Sequence, residues 1–324
     1  MFFTTIMLKA FNLQIKKVTS LKAEKRYYES VIRGLEELNK IRIEADETVL
    51  NKSIEGLVFS KDRPMQLHAL LMSYFKRASN PAAITILFKA SNQDFSNAYK
   101  QLMNEMGSYA VNFIEESNFY SQVNEWVKTN KAGRIFFLTD DAIILEEFDM
   151  NDVLQFNPLS TIFSLTKGTD LTFCFNHNRP QSLPDFKKIP NTNHLDQYFL
   201  DWVWEDMPNS PDWAYPLSLD GTFFLKKEME VLIRNIKFRN PNTFEANLQV
   251  FVRAFLPRKG ACYPKAKYVN IPCNLVQTEV KNRTTTAYTV EELNRIWNTG
   301  KRIDIMKFHL LDAQSAQTMK FEFA

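Results

Sequence analysis

The sequence predicts an α/β protein: a mixed central sheet flanked by helices, with a helical N-terminal extension. Three observations carry that prediction. From residue 56 to about 150, short apolar runs alternate with amphipathic stretches in a βαβα cadence, the opening of a parallel, right-handed sheet. Apolar residues make up 45% of the 324 and charged residues 24%, enough to bury a sizeable core and too apolar for wholesale disorder. The first 55 residues differ from the rest in charge and period. The expected organisation is a helical extension over 1–55, a main domain over 56–280 and a helical or mixed C-terminal extension over 281–324.

Within the extension, Lys9, Lys16, Lys17, Lys22, Lys25 and Arg26 form a basic head, and the stretch that follows is acidic. Tyr28, Val31, Leu35 and Leu38 recur at helical spacing and are expected to form the docking face. The basic head also leaves open a peripheral membrane contact or a homo-oligomer contact. Gly56-Leu57-Val58-Phe59-Ser60 reads as a strand, Lys61-Asp62-Arg63-Pro64 as a polar turn, and 65–77 as a helix whose first position suits Pro64, since no N–H is needed there. A second strand over 84–88 and a helix over 94–106 follow, then a strand over 110–114, a helix near 120–128 and a strongly apolar strand over 134–138. Farther on the pattern loosens. Strands are expected over 171–175 and 222–225, helices over 226–236 and 242–255, and a proline-rich loop over 179–212 with Trp202 and Trp204 within it and Trp213 next to its end. Those rings either stack on sugars or pack in the core. Asn270 to Gln277 reads as an amide-rich strand and turn, and a helix beginning near Val290 ends at Gly300.

Composition excludes several classes of function. Eight glycines and no GxGxxG argue against a dinucleotide-binding domain, and a net charge of +3 without a basic face argues against nucleic acid as a partner. HExxH and GxSxG are absent, which disfavours a zinc protease and an α/β-hydrolase. Cys174, Cys262 and Cys273 are widely spaced and form no CxxC pair, as expected of reduced, buried thiols. No apolar run reaches the ~18 residues that span a bilayer, and the start is too interrupted for a secretory signal. The expected location is the cytoplasm, with the inner face of the membrane open to the basic head.

The sharpest motif is Phe137-Leu138-Thr139-Asp140-Asp141-Ala142-Ile143. A buried strand delivering two carboxylates sets hard oxygen donors at the sheet edge where open α/β proteins bind ligands. A Mg²⁺ or Mn²⁺ ion there bridges phosphates and neutralises charge on a leaving diphosphate. The bland alternative is a turn or helix cap, which Asp-Asp also makes.

This motif resembles the DxD-type signature of glycosyltransferases with the GT-A fold, and Val58 to Pro64 is similar to the opening strand and loop of family-2-like members. The resemblance spans about two-thirds of the chain and rests on motif order. It implies a Rossmann-like nucleotide-sugar-binding domain and a metal-dependent enzyme that moves a sugar from a nucleotide-diphosphate sugar to a carbohydrate or lipid-linked glycan acceptor. Thr139 replaces the first acid of the common pattern, which makes Asp141 the direct metal ligand and leaves Asp140 to the ribose or to support of the metal. Ser60, Asp62 and Arg63 then face base, ribose or phosphate, with Arg63 or Lys61 on the diphosphate, and Ser91 and Asn92 close over the nucleobase. Asn240-Pro241-Asn242-Thr243-Phe244-Glu245 resembles the position where inverting members carry a carboxylate base, so Glu245 is the expected base and Asp220 its reserve. An acceptor hydroxyl attacks poorly until its proton is taken. The structural alternative for Glu245 is its favourable place near a helix N-terminus. Gly221 is expected to let a ligand approach closely, and His309 is a further candidate for a metal ligand.

Two rival readings remain at this level. One is a nucleotidyltransferase or other nucleotide-sugar processing enzyme, although Ser60-Lys61-Asp62-Arg63 stands where a glycine-rich phosphate loop is expected. The other is a non-catalytic carbohydrate-binding protein with the same fold.

Overall fold

A computed structural model describes residues 2–44, 52–272, 274, 288–310, 314–317 and 321–324; of 2–20, 309 and 310 it describes the backbone. After a long helix α1 (Phe2–Glu44) come β1 (Ile54–Lys61), α2 (Pro64–Arg77), β2 (Ala78–Ser79), β3 (Ala83–Lys89), α3 (Gln93–Glu105), β4 (Val111–Glu115), α4 (Phe119–Thr129) and β5 (Arg134–Thr139). The second half carries β6 (Ala142–Ile144), β7 (Phe148–Asp149), β8 (Thr161–Phe163), the small β9 (Phe173–Cys174) and β10 (Arg179–Pro180), then β11 (Lys187–Pro190) and β12 (Tyr198–Val203). Last come β13 (Phe223–Leu225), α5 (Lys226–Arg234), α6 (Pro241–Leu248), β14 (Lys259–Cys262), β15 (Tyr268–Asn270) and α7 (Val290–Asn298).

The main sheet has the order β13-β5-β1-β3-β4, four parallel strands with the antiparallel β13 on one edge. It is the mixed central sheet the sequence predicts. Period-two alternation divides its residues between two cores: Val58, Ile84, Ile86, Phe136 and Leu138 face one, and Leu57, Phe59, Leu87, Ile135 and Phe137 the other. The first core is covered by α2, α3 and α7, with Leu70, Tyr74, Tyr99 and Trp297 buried in it; the second by α4, α5, α6 and a second sheet of order β11-β12-β14-β8. Gly56 is opposite Phe136 in the β1–β5 ladder, and a Cβ there would lie 2.5 Å from the Phe136 ring, so the side-chain-free position makes room for that ring.

Several expectations are corrected. The docking face of α1 is Tyr27, Val31, Gly34, Leu38 and Ile41, alternating in steps of four and three, whereas Tyr28 and Leu35 are exposed. Gly34 sits on Phe251, Ser30 donates to Asn235 Oδ1 at 2.9 Å, and Arg42 joins a buried cluster with Glu228 and Arg258. The tract 179–212 is no continuous loop: β12 pairs with β14 and carries Trp202 into the core. Trp202 meets Trp204 and Trp213 edge-on and all three are buried, which is the core-packing alternative for these rings. The strand expected over 171–175 shrinks to β9, and the helix over 242–255 splits into α6 and a 3-10 turn, Gln249–Ala254.

The C-terminal α7 is woven into the first core through Leu293 and Trp297, and Gly300 follows it with φ +87°. Cys174 and Cys262 are buried, as expected, while Cys273 and Leu275 to Gln277 lie outside the described residues. No helix among the described residues is long and apolar enough to cross a membrane.

Candidate active site

Parallel strands β1 and β5 end side by side, with Phe59 opposite Thr139. The pairing runs one residue further: Asp140 N–H donates to Phe59 C=O at 3.1 Å, and Lys61 N–H donates to Asp140 Oδ2 at 3.1 Å. At Asp62 the chain turns over in the left-handed region, φ 55°, which a short polar side chain tolerates. Its N–H donates to Lys89 C=O at 3.0 Å, and its carboxylate accepts Ser91 N–H at 2.7 Å. Asp62 thus ties the loop after β1 to the loop after β3. Pro64 opens α2 as expected, and Arg63, its N-cap, forms no side-chain cap.

Arg63 instead folds back over the acidic pair. Its guanidinium donates to Asp140 Oδ1 at 2.9 Å, to Asp141 Oδ2 at 3.3 Å and to Asn274 Oδ1 at 2.8 Å, with a further bond to the Asn274 carbonyl. The Arg63 and Asp140 side chains are 8% and 5% exposed, against 18% for Asp141, so Asp141 is the member of the pair turned toward solvent. Burial pushes the Asp140 carboxyl up to about 6, with the Asp141 charge adding, while Arg63 pulls it back down. Beneath the loop, the buried Tyr99 hydroxyl meets Ser60 Oγ at 2.6 Å and accepts Arg63 N–H at 3.2 Å.

The opposite wall of the edge is built by the segment entering β13. Gly221, φ +62°, donates its N–H to Phe137 C=O at 3.0 Å and accepts Leu165 N–H at 2.9 Å. A Cβ on Gly221 would lie 3.3 Å from the side chains of Leu165 and Tyr268. The turn sets Asp220 beside Thr139, where its carboxylate accepts from Tyr268 Oη at 3.0 Å, Asn270 Nδ2 at 3.1 Å and Thr139 Oγ1 at 3.4 Å. Glu245 arrives on α6, a helix fixed by the Asn240–Thr243 capping box, and its Oε1 accepts Leu219 N–H at 3.4 Å.

Charge links the two walls. Asp220 is raised by burial and then by the Asp141 charge; Glu245 is pushed up to about 8 by burial and then by Asp220. Tyr215 is raised by burial, Glu245 and Asp220. Asp141 thus acts on Asp220, and Asp220 on Glu245, along this edge of the sheet.

The expected site residues divide accordingly. Asp62, Arg63, Asp140, Asp141, Asp220 and Glu245 gather on this edge through side chains. Lys61 and Ser91 join it by backbone N–H groups, the Ser60 hydroxyl meets Tyr99, and the Asn92 carboxamide caps α3 through Phe95 N–H at 3.1 Å. His68 is held against Trp297 and Glu105, with its imidazole lowered to about 4 by burial, and the His309 side chain lies outside the described residues. Sequence reasoning missed Tyr99, Tyr268 and Lys167. It flagged Asn270 and Asn274 only as members of an amide-rich turn.

No group of three or more His, Cys, Asp or Glu side chains that could hold a metal occurs among the described residues, so an all-protein cage is excluded for them. The donor set fits a different arrangement. Mg²⁺ and similar ions are commonly held by one or two carboxylates plus substrate phosphates, and Asp141 is a hard oxygen donor with partial exposure at this edge.

No protein-family model matches the chain. It is similar to the bifunctional glycosyltransferase pgtA of Dictyostelium discoideum, with 30% identity over 215 residues that cover 60% of this chain and 28% of that protein. The chain thus spans under a third of this curated relative's length. Among solved structures it is similar to S. aureus TarS, with TM-score 0.42 and 15% identity over 67% of this chain and 36% of that one. It is also similar to GalNAc-T7 crystallised with UDP, GalNAc and Mn²⁺, with TM-score 0.38 and 12% identity over 66% of this chain and 44% of that one.

Proposed function

We propose that the chain is a glycosyltransferase that moves a sugar from a nucleotide-diphosphate donor to a hydroxyl of a carbohydrate acceptor. The observation that carries the proposal is the gathering of Arg63, Asp141, Asp220 and Glu245 on the carboxyl-terminal edge of parallel β1 and β5, where such sheets bind ligands. The similarity to a bifunctional glycosyltransferase over 215 residues supports the same reading.

In this proposal Asp141 holds a divalent cation shared with the donor diphosphate, and Asp140 keeps Arg63 aimed at the same phosphates. The cation, when bound, offsets the negative charge that grows on the leaving diphosphate. Asp62 and the Ser91 backbone shape the nucleoside end. Glu245 accepts the proton of the acceptor hydroxyl as the new bond to the anomeric carbon forms and the bond to the diphosphate oxygen breaks; the neighbouring Asp220 charge raises the proton affinity of Glu245, and Asp220 is the reserve base. A single displacement of this kind inverts the anomeric centre. The acceptor class is a carbohydrate or a lipid-linked glycan; with the latter, the basic head of α1 serves as a peripheral contact at the cytoplasmic face of a membrane.

A thermal-shift series tests the proposal, because a ligand that binds only the folded state raises the melting temperature. UDP or GDP with Mn²⁺ is expected to stabilise the wild type, nucleotide without metal to do much less, and Asp141→Ala to lose the metal-dependent part together with donor hydrolysis. Equal shifts with and without metal would remove the role given to Asp141. Retention of donor hydrolysis in Asp141→Ala would do the same.

A further inference from the structure

A buried lysine beside the proposed base has no role in the account so far. Lys167 is 5% exposed, and among the described residues its ammonium makes one hydrogen bond, to Thr166 Oγ1 at 3.4 Å, and no ion pair. An ammonium has three N–H groups to satisfy, and a buried one left this sparsely bonded calls for an explanation.

The fold places it deliberately close to the reactive edge. Leu165 N–H donates to Gly221 C=O, and Lys267 N–H donates back to Leu165 C=O at 2.8 Å, which lays 164–167 along the turn that carries Asp220. Immediately after Lys167 the chain makes a tight turn against 264–266. A Cβ on Gly168 would meet Ala266 N at 2.2 Å; Thr169 N–H donates to Pro264 C=O at 2.9 Å, and the Asp170 carboxylate accepts Ala266 N–H at 3.0 Å. Buried hydroxyls of Ser164, Thr166 and Thr222 connect Lys167 to the residue two places after Asp220. Burial holds the Lys167 ammonium below the usual lysine range, and Asp212, Asp220, Cys262 and Glu245 pull it back up without forming an ion pair with it among the described residues.

We infer that Lys167 is a positioning residue whose buried ammonium supplies the opposing charge that makes the Glu245–Asp220 pair easier to ionise, so that Glu245 can take the acceptor proton. The inference rests on the base role proposed for Glu245. The charged and titratable groups facing Glu245 are Asp220 and Tyr215 from the segment before β13 and Lys167 from the turn after β8. Lys167 is the cation of this set. With it in place, the Glu245–Asp220 pair, with Asp141 acting on Asp220 and Asp212 on the lysine, meets one positive charge; without it the pair faces only negative ones, and ionising it becomes harder. Burial and the neighbouring carboxylate already push Glu245 up to about 8, while the lysine pulls the other way.

The test uses the full chain without donor, labelled with carboxyl-¹³C glutamate, with the Glu245 resonance assigned by its loss in Glu245→Gln. In Lys167→Met its titration midpoint is expected to rise by about one pH unit, the lower end of what a neighbouring opposite charge contributes, and Lys167→Arg is expected to restore it. An unchanged midpoint in Lys167→Met overturns the inference, since a lysine that merely filled space would leave the titration where it was. Should Lys167→Met not fold, Lys167→Gln replaces it with the same two outcomes. The readout needs no turnover, so the two readings separate: a shifted midpoint in a protein that transfers no sugar sinks the proposed function and leaves the charge role of Lys167 standing.

Discussion

At the residue scale the account turns on Glu245. A carboxyl held near 8 is a strong enough base to draw a hydroxyl proton, and it carries a cost in folding that has a definite sign. Its folded value lies above the ordinary 4.5, so the native state keeps a proton that the unfolded chain releases. Stability from this group is present at low pH and is lost as pH rises from about 4.5 to about 8. Glu245→Gln is therefore expected to flatten the fall in melting temperature across that window, measured by calorimetry at both ends. It is also expected to lower kcat by roughly 100- to 10,000-fold with little change in donor binding, the usual size of a general-base contribution. Wild-type activity should rise with pH toward about 8 as the base ionises. A variant that keeps wild-type kcat, or a wild-type rate that falls over that window, would assign the base elsewhere.

At the scale of elements, legibility followed locality. β1 and β5 were readable because central strands buried on both faces are short unbroken apolar runs, and the turn at Asp62-Arg63-Pro64 announces itself by its residue types. The acidic pair was readable for the same reason, since it ends such a run. What the carboxylates touch was not: Arg63 reaches Asp140 and Asp141 from 77 and 78 residues away, and no spacing rule records that meeting. Lys167 is hidden more deeply, because a lone lysine reads as surface until tertiary contacts bury it. β12 looked like loop because its partner β14 lies far along the chain and its flanking prolines dominate the local signal.

Tyr28 and Leu35 lie one residue off the docking stripe of α1, which includes Gly34; a glycine carries no apolar signal although it rests on Phe251. Gly34→Val tests that contact. A Cβ there lies 2.9 Å from the Phe251 ring, so overpacking is expected to cost about 1–3 kcal/mol in chemical denaturation. Wild-type stability in this variant would mean that α1 does not rest on Phe251 in solution.

At the scale of the whole molecule, two cores pack on the two faces of one sheet, and the loops at its carboxyl-terminal edge carry the residues of the proposed site. One wall, from β1 and β5, presents Arg63 and Asp141; the other, from the approach to β13 and from α6, presents Asp220 and Glu245. In the proposed function, a donor diphosphate set on the first wall puts its sugar toward the second, and the two acidic groupings act as one site. The most direct measurement is anomalous diffraction from a crystal of the full chain grown with Mn²⁺ and a nucleoside diphosphate. The account predicts a manganese peak within coordination distance, about 2.0–2.5 Å, of the Asp141 carboxylate, bridged to the phosphates and abolished in Asp141→Ala. A nucleotide bound elsewhere, or a manganese peak that ignores Asp141, would contradict it.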